Sequence, residues 1–520
     1  MCGILFTNRP EVERDDFLAA LELMRHRGPD APPGYAEIGR AKLGHQRLSI
    51  VDLNPRSNQP FVSRDGRFVI VFNGEIYNYR ELAREHGVEL RTSSDTELLV
   101  ELYARHREKM LPWLFGMFAF VIVDRTTGAL FWARDRLGVK PLYVSECADG
   151  VVIASELTAV EHLIPGATVD EFALRQYRKM RGFFNGRTIF QEIRMFPAGH
   201  YSSEGKVRRY WDLPSDEQAP PSDEELEALV RSAVDYRCIA DVPVGSYLSG
   251  GLDSSIVAAL SNRTHTWVVG TAEDNEFSWA EQVARHLGTV HHAITVSPEQ
   301  FLESARRMIV ERNEPLAVPN EVLLAEMTRA VKTENTVVLS GEGADELFGG
   351  YDRIFRWAAG APTWDWNEFA QRYCYGSQDD MAVVEDAVAP YLSRGSPLAI
   401  VSAFFQIAHL HGLLRRLDNS TMRCSVEGRV PFVDHRLVER LAGVSLDYKM
   451  ANGVVKAPLK RIFARLLPAA VINRPKVGFP VPIDRLLPED VPGATPMDRW
   501  FNFNLAELGL ESVALNECRQ

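Results

Sequence analysis

Ser249-Gly250-Gly251-Leu252-Asp253-Ser254-Ser255 follows an apolar strand, VGSYLS, and opens an apolar helix, SSIVAALSN. Two adjacent glycines let a backbone approach an anion closely, and a helix N-terminus offers free N–H groups and the positive end of a dipole. The serines add hydroxyl donors, and Asp253 can hold Mg²⁺ against a phosphate. The loop lacks the Gly-Lys-Ser/Thr of a Walker A motif. Two glycines alone would be read as a tight turn; the full seven-residue string in this setting reads as a phosphate loop.

Helical and strand patterns alternate around it. DEELEALVRSAVDYRCIA is helical, THTWVVGT a strand, SWAEQVARHLG helical and HHAITV a strand; FLESARRMIVERN and NEVLLAEMTRAVK are helical and TVVLSG is a strand. That order predicts parallel strands with crossover helices, a doubly wound sheet whose ligands sit beyond the strand C-termini. A second string, Ser340-Gly341-Glu342-Gly343-Ala344-Asp345-Glu346, also ends a strand. Its three carboxylates repel one another unless a metal or an amine shares them. A solvated acidic helix start accounts for Asp345 and Glu346, but not for the glycines around Glu342. Beyond Tyr351 the chain reads mostly helical.

The first ~210 residues differ. They read as strands with a few helices, including DFLAALELMRH (16–26) and DTELLVELYARH (95–106). RFVIVFNGEIYN (67–78) is a strand stopped by Asn73-Gly74, and residues 118–135 are two strands around a turn. The Pro-rich, acidic stretch PSDEQAPPSD is the linker candidate. The expected division is 1–212, a linker at 213–222, and 223–520, as a length of 520 residues requires. Lys plus Arg is 58 and Asp plus Glu is 70, for a net charge of −12. Without basic blocks, such a chain binds nucleic acid and anionic membranes poorly. The apolar run Phe115 to Val123 is far below the ~20 residues of a membrane helix. No signal peptide is read at the N-terminus. Six scattered cysteines suit a reducing cytosol.

Cys2 follows the initiator Met and is small enough to permit its removal, which leaves an amine and a thiol on one residue. With reference pKa values of ~7.7–8.0 and ~8.5, one group can serve as base for the other. A lone Cys is ordinarily incidental; here its companions decide. They are His26-Arg27-Gly28-Pro29-Asp30, Gly44-His45-Gln46-Arg47-Leu48-Ser49-Ile50-Val51-Asp52, Asn73-Gly74-Glu75-Ile76-Tyr77-Asn78 and Ser94-Asp95-Thr96-Glu97. In order and spacing these strings resemble the class II glutamine amidotransferase domain, an N-terminal-nucleophile hydrolase. The resemblance implies that Cys2 attacks the glutamine side-chain amide and that Asn73 and the backbone of Gly74 form the oxyanion hole. It further implies a glutamine site of Arg47 to Val51, with Arg47 on the α-carboxylate and Asp95 and Glu75 on the α-ammonium. His26 and His45 read as structural.

The SGGLDSS string resembles the loop of ATP pyrophosphatases, and the pairing resembles glutamine-hydrolysing asparagine synthetase. Val426-Glu427-Gly428-Arg429-Val430-Pro431-Phe432-Val433-Asp434 and Arg474-Pro475-Lys476-Val477-Gly478-Phe479 belong to the same resemblance. The family fold it implies is an αββα sandwich, then a doubly wound parallel α/β domain with a helical C-terminal part. An internal tunnel would pass ammonia between them. The implied chemistry activates a carboxylate as its adenylate with ATP and Mg²⁺, and ammonia then displaces AMP. Leu248, Val269 and Gly341 would bind the nucleoside by backbone, Ser249, Gly250, Gly251, Ser254 and Ser255 the phosphates, and Ser340 would also belong to the ATP site. Asp253 and Asp345 would hold Mg²⁺. Lys456 would stabilise charge on the adenylating phosphate, and Glu342 would assist proton removal. Asn419 stands where the family usually has a basic residue toward phosphate, with Arg423 as a substitute. The substrate-facing segment 313–325 contains no Arg or Lys, so the acceptor's cationic partner is expected elsewhere, at Arg353 or Arg423. Aspartate is the default acceptor; a sugar acid or natural-product carboxylate is the alternative, and a non-catalytic glutamine- or nucleotide-binding regulator the third reading. A cytoplasmic homodimer completes the expectation.

Overall fold

The computed structural model describes residues 2–376, 379–475, 478–479 and 481–510. Lys476, Val477 and Cys518 therefore lie outside the described residues. The N-terminal region is built on two six-stranded sheets. One runs Arg194–Met195, Tyr143–Cys147, Gly150–Ala154, Gly3–Thr7, Ala41–Gln46 and Gly34–Ile38, edge to edge. The other runs Lys206–Arg209, His200–Ser203, Leu130–Arg134, Gly116–Asp124, Phe68–Ile76 and Phe61–Val62. The named pairings are antiparallel, with Gly3 opposite Gln46 and Gly74 opposite Phe118.

Alternation explains why the sheets stack. Ile4, Phe6, Val69, Val71, Ala119 and Val121 point inward and share one core between the sheets. The opposite faces are also apolar, and helices cover them: Arg14–Glu22 and Leu157–Leu163 on the first sheet, Asp95–His106 on the second. The result is an αββα sandwich. The strand expected to stop at Asn73-Gly74 instead continues to Ile76. At residue 74 a Cβ would lie 2.1 Å from the Met117 carbonyl oxygen, so only glycine keeps the pairing to the neighbouring strand intact.

The second region holds a five-stranded parallel sheet in the order Val290–Thr295, His265–Gly270, Val244–Tyr247, Val337–Leu339, Glu427–Arg429. The sequence order reverses direction between Val244–Tyr247 and Val337–Leu339. Such a switch point leaves a crevice at the strand C-termini, and both glycine-rich loops leave from these two strands. The segment expected to be a linker is a strap: Gln218 bridges to Val444, and Leu213 O accepts from Arg394 Nη1 at 2.8 Å.

Helix Leu410–Met422 continues from Pro397–Phe404 through a π-helical turn at Phe405–His409. By length and composition the run Pro397–Met422 could cross a membrane, yet half of its most apolar window is buried inside the protein. Leu410, Leu414 and Leu417 enter the central core, and Arg415, Arg416 and Asp418 form ion pairs. It packs as a core helix.

Candidate active site

Cys2 immediately precedes the strand Gly3–Thr7, and its nitrogen donates to Asn73 Oδ1 at 3.0 Å. That contact orients the Asn73 amide, leaving Nδ2 as its donor end, 3.5 Å from Ser155 Oγ. The Cys2 thiol lies 3.9 Å from the Leu48 carbonyl oxygen, and burial raises its pKa. Arg47 donates to the carbonyl oxygens of Asp52 and Asn54 and to Asn58 Oδ1, which fixes its guanidinium at the pocket. Ser49 N donates to Asp30 Oδ2 at 2.8 Å, Ile50 O accepts from Asp241 N, and Val51 is buried.

Asp95 and Glu75 form a buried carboxyl pair, and Ile76 N donates to Asp95 Oδ2 at 2.8 Å. Burial raises Asp95 to about 6. Burial and the neighbouring Asp95 push Glu75 well above the carboxylate range. Glu75 already has one cation beside it, the buried Arg429 guanidinium. His45 is held neutral by burial, its pKa lowered to about 3, and His26 Nε2 meets Glu156 Oε1 at 2.8 Å.

The second site is a cleft of about 1030 Å³ at the switch point. Leu248, Ser249, Gly251, Asp253, Ser254, Val269, Ser340, Gly341, Glu342, Asp345 and Lys456 line it. Gly250 and Ser255 do not. Gly250 makes the turn at φ +73°, where a Cβ would lie 2.5 Å from the Trp279 backbone; Ser255 is fully buried. Lys456 sits before helix Ala457–Phe463 in a left-handed backbone conformation, φ +56°, that non-glycine residues rarely adopt. Its ammonium bridges Asp253 and Asp345, at 2.6 Å from the latter. Burial works to lower its pKa, but the two carboxylates raise it, so Lys456 is a fixed cation.

A solvated acidic helix start does not describe Glu346. Glu346 is 1% exposed and accepts from Tyr351 O–H at 2.6 Å. Burial, then Asp345, lifts its pKa to about 7. Glu342 pairs with Arg416, and its Oε2 is buried without a hydrogen-bond partner among the described residues. Arg416 is thus the cleft cation beside Glu342. Arg353 and Arg423 do not line the cleft; Arg353 is exposed and Arg423 pairs with Glu311. Asn419 is likewise absent from the residues that line the cleft.

Sequence reading missed Arg415, Arg416 and the double role of Arg429. Arg429 Nη2 meets Glu75 Oε2 at 3.1 Å, while its carbonyl oxygen accepts from Ser340 N at 2.8 Å. One residue thereby touches the carboxyl pair of the first site and the loop of the second.

The fold and sites define a class: an N-terminal-nucleophile glutamine amidotransferase joined to a doubly wound α/β domain with a glycine-rich loop at its cleft. Residues 1–211 match the glutamine amidotransferase domain model and residues 225–491 the asparagine synthase model. Asparagine synthetase [glutamine-hydrolyzing] 1 of Bacillus subtilis is 29% identical, covering 94% of this chain and 88% of its own length. A putative asparagine synthetase of Mycobacterium tuberculosis H37Rv is 31% identical over 93% and 88%, and asparagine synthetase B of Escherichia coli K12 31% over 90% and 79%. The chain belongs to the glutamine-hydrolysing asparagine synthetase family. It is a ligase that forms amides with nitrogen from glutamine.

Proposed function

We propose that the protein converts aspartate to asparagine with ATP and glutamine through an acyl-adenylate, and that ammonia travels inside the chain from Cys2 to the cleft. Cys2 adds to the glutamine carboxamide carbon, ammonia leaves, and water releases glutamate from the thioester. Asn73 Nδ2 and Gly74 N face the developing oxyanion. In the cleft the acceptor carboxylate attacks the α-phosphate of ATP, pyrophosphate leaves, and ammonia displaces AMP. Lys456 neutralises charge on the phosphates, and Glu342 takes the proton that the attacking nitrogen sheds.

The donor chemistry fits Mg²⁺. Asp253 and Asp345 offer hard oxygens, and Mg²⁺ is commonly held by one or two carboxylates plus substrate phosphates. Bound there, it supplies positive charge to the pyrophosphate.

The observation that carries the reading is Arg429, whose side chain and backbone reach both sites. One feature favours a larger acceptor as second reading: Arg181, Phe183 and Phe184 of the first domain wall the cleft with Tyr373 and Tyr375. The test is incubation with glutamine, ATP, Mg²⁺ and a panel of carboxylates, aspartate included. Asparagine and equimolar AMP are expected. AMP release driven by another carboxylate, with no asparagine from aspartate, would leave the amidotransferase and remove the aspartate assignment.

A further inference from the structure

A buried ion pair ties the nucleophile to the second domain, and neither half-reaction needs it as chemistry. Arg27 is fully buried and spreads its guanidinium over three acceptors. Nε donates to the Cys2 carbonyl oxygen at 3.1 Å, Nη1 to Glu156 Oε1 at 3.1 Å, and Nη2 to Asp418 Oδ2 at 3.0 Å. Of these acceptors only Asp418 comes from the second domain. Its other oxygen accepts from Lys140 Nζ at 3.3 Å, and Lys140 is also buried. Asp418 lies on helix Leu410–Met422, two residues beyond Arg416, which holds Glu342 in the cleft.

The energetics make this arrangement stiff. A buried guanidinium that loses one of its carboxylate partners is left undercompensated where water cannot reach it, which is strongly unfavourable. Arg27 therefore cannot turn away while Asp418 and Glu156 hold it. The carbonyl it grips belongs to the residue that carries both the thiol and the future amine. Displacement of a reacting group by ~1 Å can cost ~10²-fold in rate.

We propose that Asp418 is a positioning residue of the glutaminase: it fixes Arg27, and through it the Cys2 backbone, so that glutamine hydrolysis runs at full rate only with helix Leu410–Met422 seated against the first domain. This rests on Cys2 being the glutaminase nucleophile.

The test measures glutamate release from glutamine and AMP release with ammonium chloride, in the wild type, Asp418→Asn, Arg27→Met and the double variant. Asp418→Asn is expected to lower kcat for glutamate release at least about tenfold, with KM for glutamine nearly unchanged and ammonia-driven AMP release retained. The double variant is expected to be no worse than Arg27→Met alone, because both changes break one linkage. Asp418→Glu is expected to recover part of the rate. Wild-type hydrolysis by Asp418→Asn, equal loss with both nitrogen sources, or losses that multiply in the double variant overturn the proposal. If Asp418→Asn does not fold, Arg27→Lys, which keeps the buried charge but loses the three-pronged fork, carries the test; full hydrolysis by it is equally fatal. A wild type whose hydrolysis survives Cys2→Ala would instead remove the nucleophile assignment.

Discussion

Lys456 stands where two carboxylates converge, so its removal acts twice. It deletes a fixed cation proposed to meet the phosphates, and it leaves Asp253 and Asp345 to repel each other. Lys456→Met is expected to lower AMP formation by about 10²–10³-fold, the usual effect of losing one preorganised electrostatic partner. Glutamate release should stay within about twofold, because Lys456 pairs with Asp253 and Asp345 and not with the Arg27–Asp418 linkage. AMP formation near the wild-type rate would refute the assignment. The carboxyl pair at the glutamine pocket gives a pH prediction. Binding an α-ammonium requires ionised carboxylate, and burial raises Asp95 to about 6. Below that pH Asp95 holds its proton and attracts an ammonium poorly. KM for glutamine is therefore expected to rise as pH falls through about 6. A KM flat from pH 5 to 8 would contradict it. Asp95→Asn should raise KM at every pH and flatten the dependence.

Elements that announce themselves locally were legible in the sequence; those made by distant contact were not. Helix Asp95–His106 carries its own signals, a Ser94 cap and acidic residues in the first turn, and it forms where the pattern places it. The alternating pattern after residue 223 likewise became the parallel sheet. The strand Glu427–Arg429 has three residues and no periodicity to read; it exists because Val337–Leu339 offers an open edge. Arg415 and Arg416 resemble surface residues of an apolar helix, and only the fold turns them into the cleft. Asp418 and Arg27 are 391 residues apart, a pairing that no local rule signals. Helix Pro496–Glu507 is another case. Its Trp500 is fully buried, with Nε1 donating to Leu316 O at 3.2 Å, and Asn504 Oδ1 accepts from Leu316 N at 2.8 Å. The helix thus braces the 313–320 segment that walls the cleft. Trp500→Ala is expected to cost ~3–5 kcal/mol of stability, read by urea unfolding, and to raise KM for the acceptor. A loss below ~1 kcal/mol would show that the helix is not a brace.

At the scale of the molecule, the two domains meet through buried polar contacts rather than through a flexible tether. Arg27 with Asp418, Arg134 with His411, and Arg429 with Glu75 each cross the boundary, and buried pairs are screened little by salt. Such a seam can keep a small neutral molecule away from bulk water, which is what internal transfer of ammonia demands. Mixing tests it. Cys2→Ala should retain ammonia-dependent amidation but lose glutamine-dependent amidation. Asp253→Asn should hydrolyse glutamine but form no AMP. If ammonia moves within one chain, an equimolar mixture of the two makes little amide from glutamine, because one chain's ammonia is diluted into solvent before it reaches the other's cleft. Ammonium chloride added to the same mixture should restore amide formation through the Cys2→Ala chains, showing that the cleft is intact. Glutamate dehydrogenase with 2-oxoglutarate and NADH, which consumes free ammonia, should abolish the mixture's residual activity and spare the wild type. Amide from the mixture at half the wild-type rate or more, or a wild type equally inhibited by the scavenger, would mean that ammonia passes through solution and that the seam conducts nothing.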